Sequence, residues 1–441
     1  MHLLENTLGL LVLIGVMILV HEFGHYWMAR RFDVRIDVFS FGFGPRLCGF
    51  TRGETDFRIS AIPFGGYVKM TGEQAGEENA DDPRAFLSKP RWQRLAIAFA
   101  GPAMNLLLAV GLLTGLFMVR FPKAPSSEVQ GMVAYVTADS PAAKAGIREG
   151  DRIIAIDNVQ NPTWEDIAMR ELSGANRPLG VRIRRGGREF PATVTPVLDP
   201  HTGIGTAGWQ EEAELQLAAI SPGMPAEKAG LQIGDVLRSA NGQPLRSIQR
   251  LHEAIAASGG KPVSVEYLRE GKELKVAIQP VFAQDPPKTP ARWMIGVLAQ
   301  PRMIMTQLPF PEAFRESVRQ NLKNATLIYG FLRGIVEQRM SAKSIEGPIG
   351  IARLSGDAAR EGAVAFLALM AVVSLNLAIF NLLPIPIMDG GVILLLVVEM
   401  LMRRDRSVRV KEAVFKLGFV FLMAVMAFVI YNDISKMILP G

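Results

Sequence analysis

Four long apolar stretches constrain this chain more than any other feature of its sequence. Two of them, Leu95–Val119 and Ala363–Met388, contain no charged residue. The other two, Leu8–Ala29 and Leu417–Asn432, are interrupted or shorter. A helix needs about 20 apolar residues to cross a hydrocarbon layer of ~30 Å. The pattern therefore predicts a polytopic α-helical membrane protein with four transmembrane helices.

Composition narrows the class of protein further. Apolar residues make up 49% of the 441 residues and charged residues 20%, which excludes an intrinsically disordered chain. The single cysteine, Cys48, rules out an intramolecular disulfide and a zinc site of the Cys₄ or Cys₂His₂ type. The net charge is +6, but the chain has no run of five basic residues. We therefore expect no nucleic-acid partner and attribute the charge to cytoplasmic loops.

The basic residues also predict an orientation. Eleven Lys or Arg lie in Arg30–Arg94 and six in Asp389–Lys416, whereas the C-terminal flank has only Lys436 and the N-terminal flank has none. Positive residues stay on the cytoplasmic side of a membrane. We therefore expect both termini and the long segment Phe121–Gly362 to lie outside the cytoplasm, which in a bacterium is the periplasm.

The long outer segment contains an internal repeat. Ser140–Gln160 and Met224–Pro244 are identical at seven of 21 aligned positions, including a Pro-Ala-x-Lys-Ala-Gly turn and a Gly-Asp pair. That spacing suits two small domains in tandem. Strands with alternating apolar and polar residues follow, as in Pro178–Arg184 and Pro262–Tyr267. Each copy is predicted to be a small β-rich domain and resembles a PDZ domain.

The remaining outer segment is predicted to be a linker followed by a helix. Three prolines mark Gln284–Pro290 as the linker. Pro311–Arg339 has an amphipathic helical pattern, and the helix either lies on the membrane surface or serves as a spacer. The predicted order is a first transmembrane helix at 1–30, a cytoplasmic or re-entrant β region at 31–94, a second helix at 95–120, PDZ-like domains at 126–208 and 212–283, the linker and amphipathic region at 284–362, a third helix at 363–389, a cytoplasmic segment at 390–412 and a fourth helix at 413–433.

The strongest chemical signal is the sequence His21-Glu22-Phe23-Gly24-His25 in the first apolar stretch. Residues four apart on a helix lie on one face, so both imidazoles can bind one ion, and Glu22 beside them can act as a general base. The chain has only five histidines, which makes coincidence a poor explanation. The alternative is a pair of hydrogen-bonded core histidines, but three ionisable groups in an apolar helix are costly without a function.

Asp389 is the candidate for a third metal ligand. A catalytic zinc usually has three protein ligands and one open position, and His25 is not followed by a further ligand at the spacings of soluble zinc peptidases. A carboxylate at membrane depth costs ~2.5–3.5 kcal/mol, which coordination would offset. Pro384 and Pro386 interrupt the helix just before it. The alternative places Asp389 in headgroup water at a helix end.

These features together resemble the site-2 protease family over essentially the whole chain. The shared features are HExxH in a first transmembrane helix, a distant Asn-x-x-Pro-x-Pro-x-x-Asp-Gly motif and tandem PDZ-like domains between the second and third helices. The resemblance implies an intramembrane zinc metalloprotease of the bacterial inner membrane, with Zn²⁺ as its cofactor. It also implies single-span membrane protein substrates, namely anti-sigma factors already shortened by another protease and remnant signal peptides.

The resemblance assigns roles to individual positions. His21, His25 and Asp389 would be the zinc ligands and Glu22 the general base. Substrate would be held by Asn381, with Pro384 and Pro386 behind it, and by a membrane re-entrant β-hairpin. Short β-like runs at 35–39 and 55–59 suit that hairpin, whose edge can pair with an unwound substrate. The hairpin positions that match the family pattern are Gly42, Phe43, Gly44, Gly65, Gly66 and Tyr67.

Two positions depart from the family pattern. Met388 stands where the motif usually has Leu, and Val392 stands where many relatives have His. Neither is a predicted ligand, so the departures affect only the expected local packing.

Two questions stay open at the level of the sequence. The PDZ-like domains can bind the new C-terminus of a trimmed substrate, or they can exclude substrates with bulky outer domains. The alternative function is a non-enzymatic PDZ-bearing membrane scaffold in which a structural metal joins two helices. A transporter with broken helices is a weaker alternative, since the chain has no inverted repeat.

Overall fold

The chain divides into two compact units in a computed structural model that describes residues 2–73, 82–119, 121–123, 131–199, 203–284, 291–337, 345–403 and 408–438. The membrane unit comprises Met1–Phe121, Gln307–Tyr329 and Ile345–Gly441. The β-rich unit comprises Pro122–Thr306 and Gly330–Ser344.

Most helical residues belong to the membrane unit. In the described part of the chain the helices are α1 His2–Arg31, α2 Arg91–Val119, α3 Pro141–Lys144, α4 Trp164–Ser173, α5 Pro225–Lys228, α6 Ile248–Ala257, α7 Phe310–Val336, α8 Pro348–Glu361, α9 Ala363–Leu382, α10 Asp389–Met402 and α11 Val408–Ile438. Among the described residues, four segments are long and apolar enough to cross a membrane, as predicted: Leu4–Arg31, Arg91–Val119, Ala363–Leu382 and Ala413–Ser435.

The strands form one long hairpin in the membrane unit and several sheets in the β-rich unit. They are β1 Ile36–Arg52, β2 Thr55–Met70, β3 Phe121–Lys123, β4 Val133–Val136, β5 Arg152–Ile156, β6 Val159–Gln160, β7 Leu179–Arg185, β8 Arg188–Val194, β9 Val197–Leu198, β10 Gly205–Thr206, β11 Trp209–Glu211, β12 Leu215–Ile220, β13 Val236–Ala240, β14 Gln243–Pro244, β15 Val263–Arg269, β16 Lys272–Ile278, β17 Val281–Ala283, β18 Arg292–Met294, β19 Val297–Pro301 and β20 Ile304–Thr306.

Small residues let the helices of the membrane unit approach closely. A Cβ added at Gly24 of α1 would lie 2.3 Å from the backbone oxygen of Ala100 in α2. A Cβ at Gly9 would lie 3.1 Å from the backbone oxygen of Ser355 in α8. Buried apolar side chains of α1, α2 and α9, such as Leu13 and Met370, fill the space between these helices. Glycines at such contacts are typical of helix packing in lipid.

The hairpin of β1 and β2 is much longer than the two short runs expected from the sequence. The first half of β1 pairs with the end of β2, with Phe41 opposite Gly66, and its second half pairs with the start of β2, with Arg52 opposite Thr55. Residues 66–70 pair with β1 alone among the described strands, so they form a sheet edge. Apolar side chains such as Leu47 and Phe50 are exposed on this hairpin.

A turn separates α9 from α10. Asp389 is the first residue of α10 and not the last residue of the third membrane helix. Pro384 and Pro386 cannot continue α9, so it stops at Leu382. The segment predicted to be cytoplasmic, at 390–412, begins with the apolar helix α10. Gly390 permits the tight reversal, since a Cβ there would lie 2.2 Å from a backbone oxygen at the end of α9.

The amphipathic helix predicted at Pro311–Arg339 is α7. Its first half packs on α2, where the Ser317 hydroxyl donates to the Val110 carbonyl at 2.7 Å and Ala313 is fully buried. A second helix, α8, follows residues 338–344, which lie outside the described residues. The carboxylate of Asp433 in α11 accepts hydrogen bonds from backbone N–H groups at the start of α8, including that of Gly347.

The β-rich unit contains two modules with the same order of elements. In the first module, β6-β5-β7-β8 form one sheet, and β4 pairs with β11. In the second, β16-β15-β13-β12-β19 form one sheet, with β14 on β13. Strand β7 alternates buried and exposed side chains, which is the pattern of a half-buried strand. Each module closes its own apolar core.

Each module has the same buried ion pair. Arg185 donates from Nε and Nη2 to the two carboxylate oxygens of Asp151 at 2.6 and 2.7 Å. Arg269 makes the same two bonds to Asp235, at 2.7 Å each. The Asp151 side chain is fully buried, so the guanidinium compensates a charge that water cannot reach. The Gly-Asp turn found in the sequence repeat thus has a fixed partner 34 residues later in both copies.

The second module extends beyond its predicted end at residue 283. Strands β17 and β18 pair across the predicted linker at Gln284–Pro290, whose residues 285–290 lie outside the described residues. Strand β19 then pairs with β12. The second module therefore has strands on both sides of the predicted linker in the sequence.

Candidate metal centre

Helix α1 presents His21 and His25 to α2. The two residues are one helical turn apart, and each is 8% exposed. Their Nε2 atoms are 3.2 Å apart, with the rings edge to face. The contact of Gly24 with α2 brings this face of α1 against its neighbour, so the imidazoles lie between the helices and not in lipid.

Gly101 of α2 leaves the space that the imidazoles occupy. A Cβ added at Gly101 would lie 2.3 Å from His25 Nε2 and 2.8 Å from His21 Nε2. Real Cβ atoms do not approach other atoms so closely. The two nitrogens that face Gly101 are also the two that face each other, so the absent side chain keeps one small volume free beside both.

Asp389 reaches the same point from the break between α9 and α10. Its Oδ2 is 3.1 Å from His21 Nε2, and its Oδ1 is 3.5 Å from His25 Nε2. The preceding turn is strained, since Ile387 has φ +83°. Gly418 of α11 supports the turn from behind, because a Cβ there would lie 2.4 Å from the Pro386 oxygen.

This donor set fits a zinc ion. One nitrogen from each histidine and one oxygen of Asp389 lie within 4.8 Å of one another. Donors bound to zinc at about 2.0–2.2 Å lie roughly 3.4 Å apart in a tetrahedron, close to the three separations seen here. Two imidazoles and a carboxylate are ligands that catalytic zinc uses, with a fourth position left for water or substrate. The three predicted ligands, which are distant in sequence, therefore converge.

His25 has the hydrogen bond that a zinc ligand needs on its other nitrogen. Its Nδ1 lies 2.8 Å from the carbonyl oxygen of Ile97 in α2. A carbonyl can only accept, so Nδ1 carries a proton, and in the neutral ring the lone pair is on Nε2, which faces His21 and Asp389.

A cavity of about 440 Å³ opens in front of these residues. Glu22 lines it, and the backbone N–H of Val68 in β2 donates to the Glu22 carboxylate. The hairpin edge at residues 66–70 therefore lies against the metal centre. A carboxylate held beside an open ligand position is the arrangement that general-base catalysis requires.

The structure brings some of the predicted substrate-binding residues to this cavity and leaves others outside it. Pro384 and Pro386 form the turn behind the cavity, and Gly42 and Gly44 lie in β1, where Gly42 adopts φ +89°. The rings of Phe43 and Tyr67 stack with centroids 6.0 Å apart. Those that line the cavity are Phe43, Gly65, Gly66, Tyr67 and Asn381.

Sequence reasoning missed the contribution of α2. Gly101, Ile97 and Asn105 all touch the histidines, yet α2 was expected only to span the membrane. A signal was present, because Asn105 is a polar side chain inside an uncharged apolar stretch. Met388 and Val392, the two departures from the family pattern, also line the cavity.

Two histidines and an aspartate that meet between membrane-spanning helices, beside a glutamate, define a membrane-embedded metallopeptidase. The chain belongs to peptidase family M50, which matches residues 9–425.

Full-length relatives agree with this assignment. The chain is 31% identical over 463 aligned residues to the regulator of sigma-E protease of Salmonella typhimurium, covering 99% of this chain and 100% of that protein. It is 30% identical over 462 residues to a putative zinc metalloprotease of Vibrio cholerae, covering 99% of each. The regulator of sigma-E protease of Escherichia coli is 30% identical over 460 residues, with 98% of this chain and 99% of that protein covered.

The structure comparison matches part of this chain to a solved PDZ domain from an SdrC-like protein of Listeria monocytogenes. The sequence identity is 18%, and the match covers 20% of this chain and 87% of that chain. Its TM-score is 0.18, which does not establish a shared fold.

These matches establish the class of enzyme and its cofactor. The chain is a zinc-dependent metalloprotease of the site-2 type that acts in regulated intramembrane proteolysis, and it is a multi-pass protein of the inner membrane. The family, the enzyme class and the zinc cofactor predicted from the sequence are confirmed.

Proposed function

We propose that this protease hydrolyses peptide bonds within the transmembrane segments of single-span proteins, with His21, His25 and Asp389 as zinc ligands and Glu22 as the general base. Its substrates are anti-sigma factors that another protease has already shortened, and remnant signal peptides. The names of the bacterial relatives support the first of these substrates. The observation that carries the proposal is the convergence of three ligand atoms and Glu22 on one cavity between membrane helices.

The protein groups divide the chemistry between them. When bound, zinc supplies Lewis acidity towards the scissile carbonyl and the attacking water. Glu22 accepts a proton from that water as its oxygen bonds to the carbonyl carbon. Glu22 then gives the proton to the departing amine nitrogen as the C–N bond breaks. The Val68 N–H holds the Glu22 carboxylate in place for both transfers.

The substrate must be unwound before this reaction, because the carbonyls of a lipid-embedded helix are all hydrogen-bonded internally. The edge at residues 66–70 supplies replacement partners by pairing with the unwound main chain, as in β-augmentation. Its position beside Glu22 supports this role. Asn381 also lines the cavity, and its amide holds the substrate backbone by donating to a carbonyl and accepting from an N–H.

The two β-rich modules are PDZ-like and lie in the periplasm together with both termini. The repeated element order and the shared buried ion pair support the first statement. The basic residues of the 30–94 and 389–416 segments support the periplasmic location, because positive residues stay on the cytoplasmic side of a membrane.

The second module receives the exposed C-terminus of a trimmed substrate. A groove of about 270 Å³ lies beside α6, β18 and β19, lined by apolar residues, by the basic residues His252 and Arg292 and by Glu253. The Glu253 carboxylate accepts hydrogen bonds from Tyr135 and Arg250. Burial and the positive charge of Arg292 lower the pKa of His252. A substrate carboxylate therefore meets Arg292 as the permanent cation of the groove.

Deletion of both modules distinguishes this role from a size filter. The deletion removes both modules completely. It ends at Pro301, because the last strand of the second module, β19, ends there. A receptor role predicts slower cleavage of trimmed substrates, whereas gain of cleavage on untrimmed substrates shows a filter and contradicts the proposal.

Substitution of Glu22 tests the catalytic assignment. Glu22→Gln keeps the shape of the side chain and the ligand set, so purified protein should retain zinc and lose cleavage of a single-span substrate by about 10²–10⁴-fold. The control is Glu73→Gln, which removes another carboxylate that lines the same cavity and should leave cleavage within a few-fold of the wild type. Cleavage at the wild-type rate by Glu22→Gln contradicts its role as the general base.

A further inference from the structure

The environment of His21 differs from that of His25 on the side that faces away from the proposed metal. A histidine that binds zinc through Nε2 needs an acceptor for its Nδ1–H, and that partner fixes both the tautomer and the ring orientation. The Ile97 carbonyl supplies this acceptor to His25. No carbonyl of the described residues is hydrogen-bonded to His21 at this position, and the neighbour of its Nδ1 is the side-chain amide of Asn105, with Nδ2 at 3.2 Å.

The Asn105 side chain is fully buried, and only one end of its amide, Nδ2, has a hydrogen-bond partner in the described part of the chain. Its Oδ1 has no hydrogen-bond partner among the described residues. With the amide in this orientation, Nδ2 donates to Nδ1 of His21, and the His21 proton lies on Nε2 towards Asp389. That tautomer cannot bind zinc, because its Nε2 has no lone pair to offer.

We propose that Asn105 is a positioning residue for zinc, and that the orientation of its amide turned by half a rotation about χ2 is the one that accompanies the bound metal. The two ends of a carboxamide have nearly the same shape, so the turn needs no extra space. Oδ1 then accepts from Nδ1–H of His21, and Nε2 presents its lone pair to the metal. The turn therefore gives Oδ1 a partner and gives His21 the tautomer of His25. The inference rests on the ligand set proposed above.

The backbone around Asn105 suits this role. Asn105 lies one turn after Gly101 on α2, so one helix contacts both imidazoles. Its carbonyl accepts a hydrogen bond from the Ser374 hydroxyl of α9 at 2.8 Å. Helix α9 leads into the turn that carries Asp389, so Asn105 lies where the supports of two ligands meet.

Zinc affinity of the full-length protein in detergent, measured by competition with a chelator, tests the inference. Asn105→Leu keeps the volume but removes the acceptor, and we expect zinc affinity to fall about 10–100-fold. Asn105→Asp keeps an acceptor oxygen without an N–H donor, and its affinity should stay within a few-fold of the wild type. The matched control is Asn321→Leu, which removes another buried asparagine of the membrane unit whose Oδ1 has no partner in the described part of the chain. Its affinity should not change.

The pattern across the variants decides the outcome. Unchanged affinity in Asn105→Leu, or an equal loss in Asn105→Leu and Asn105→Asp, overturns the role of Asn105 as an acceptor. Failure of the wild type to bind zinc, or full affinity in His21→Ala, overturns the ligand set instead.

Histidine-selective ¹⁵N NMR of the wild type gives a test that needs no folded variant. With zinc bound, Nδ1 of His21 should be protonated. An unprotonated Nδ1 in the zinc-bound protein contradicts the inference.

Discussion

Gly101 lies directly against the Nε2 nitrogen of His25, 76 residues earlier in the chain and on a different helix. A Cβ at Gly101 would lie 2.3 Å from His25 Nε2. Glycine at this position is therefore a condition for the metal site and not only for helix packing.

Gly101→Ala should remove zinc binding while leaving the protein in the membrane. The added methyl occupies the space beside both Nε2 atoms, so the imidazoles must turn away from Asp389. The control is Gly111→Ala on the same helix, where an added Cβ meets no atom within 4 Å. Zinc content of the purified proteins measures the effect. A full complement of zinc in Gly101→Ala would show that the histidines bind metal in another arrangement.

The buried ion pair of the first module should contribute strongly to its stability. Arg185→Met leaves the carboxylate of Asp151 buried without a cation, and we expect the module to lose ~2–3 kcal/mol, because Arg185 is itself about a third exposed. Arg184→Met is the control, since the Arg184–Glu189 pair is nearly half exposed at both ends and should contribute below ~1 kcal/mol. Native-state hydrogen exchange of β5 and β7 in the full-length protein measures both. Equal losses of stability in Arg185→Met and Arg184→Met would contradict the stabilising role of the buried ion pair.

Tyr135 should make the contact between the two modules sensitive to alkaline pH. Its hydroxyl donates to Glu253 at 2.6 Å, and this bond, together with burial, raises the pKa of Tyr135 to about 12. The folded state therefore favours the neutral phenol. The stabilisation is complete below the ordinary pKa of about 10 and is lost as pH rises towards 12.

Ultraviolet titration of tyrosinate in the full-length protein should show one late-titrating phenol. That step should be missing in Tyr135→Phe and should move towards pH 10 in Glu253→Gln. Persistence of the late step in Tyr135→Phe would assign it to another of the six tyrosines.

The proposed orientation can be tested with introduced cysteines, because Cys48 is the only natural one. In a Cys48→Ser background, Arg52→Cys places a thiol at the hairpin turn and Arg188→Cys places one on β8, both at exposed positions. A membrane-impermeant maleimide should label Arg188→Cys from the periplasmic side, and Arg52→Cys only after the cytoplasmic side is opened. Labelling of both from one side would contradict the orientation.

Sequence patterns predicted the elements whose signals are local or chemically unusual. The four membrane helices follow from uninterrupted apolar stretches, and His21 and His25 follow from helical spacing. Asp389 could be identified because a carboxylate at the end of an apolar stretch is costly and therefore functional. Arg185 and Arg269 were also within reach, since each stands 34 residues after its aspartate in the two copies.

The rest depends on packing between segments that are distant in sequence. Gly101 and Asn105 look like ordinary positions of a membrane helix until α1 is placed against α2. Helix α10 was missed because its apolar residues follow a double glycine, which usually ends an element, whereas here the glycines permit a reversal against α9. The proline-rich segment before β18 was interpreted as a linker because strand pairing across it is not visible in composition.

The most direct test of the metal centre is the anomalous signal of zinc in crystals of the full-length protein. The account predicts one peak about 2.0–2.2 Å from Nε2 of His21, Nε2 of His25 and a carboxylate oxygen of Asp389. A peak bound to the histidines with Asp389 turned away, or no peak between them in zinc-loaded crystals, would contradict it.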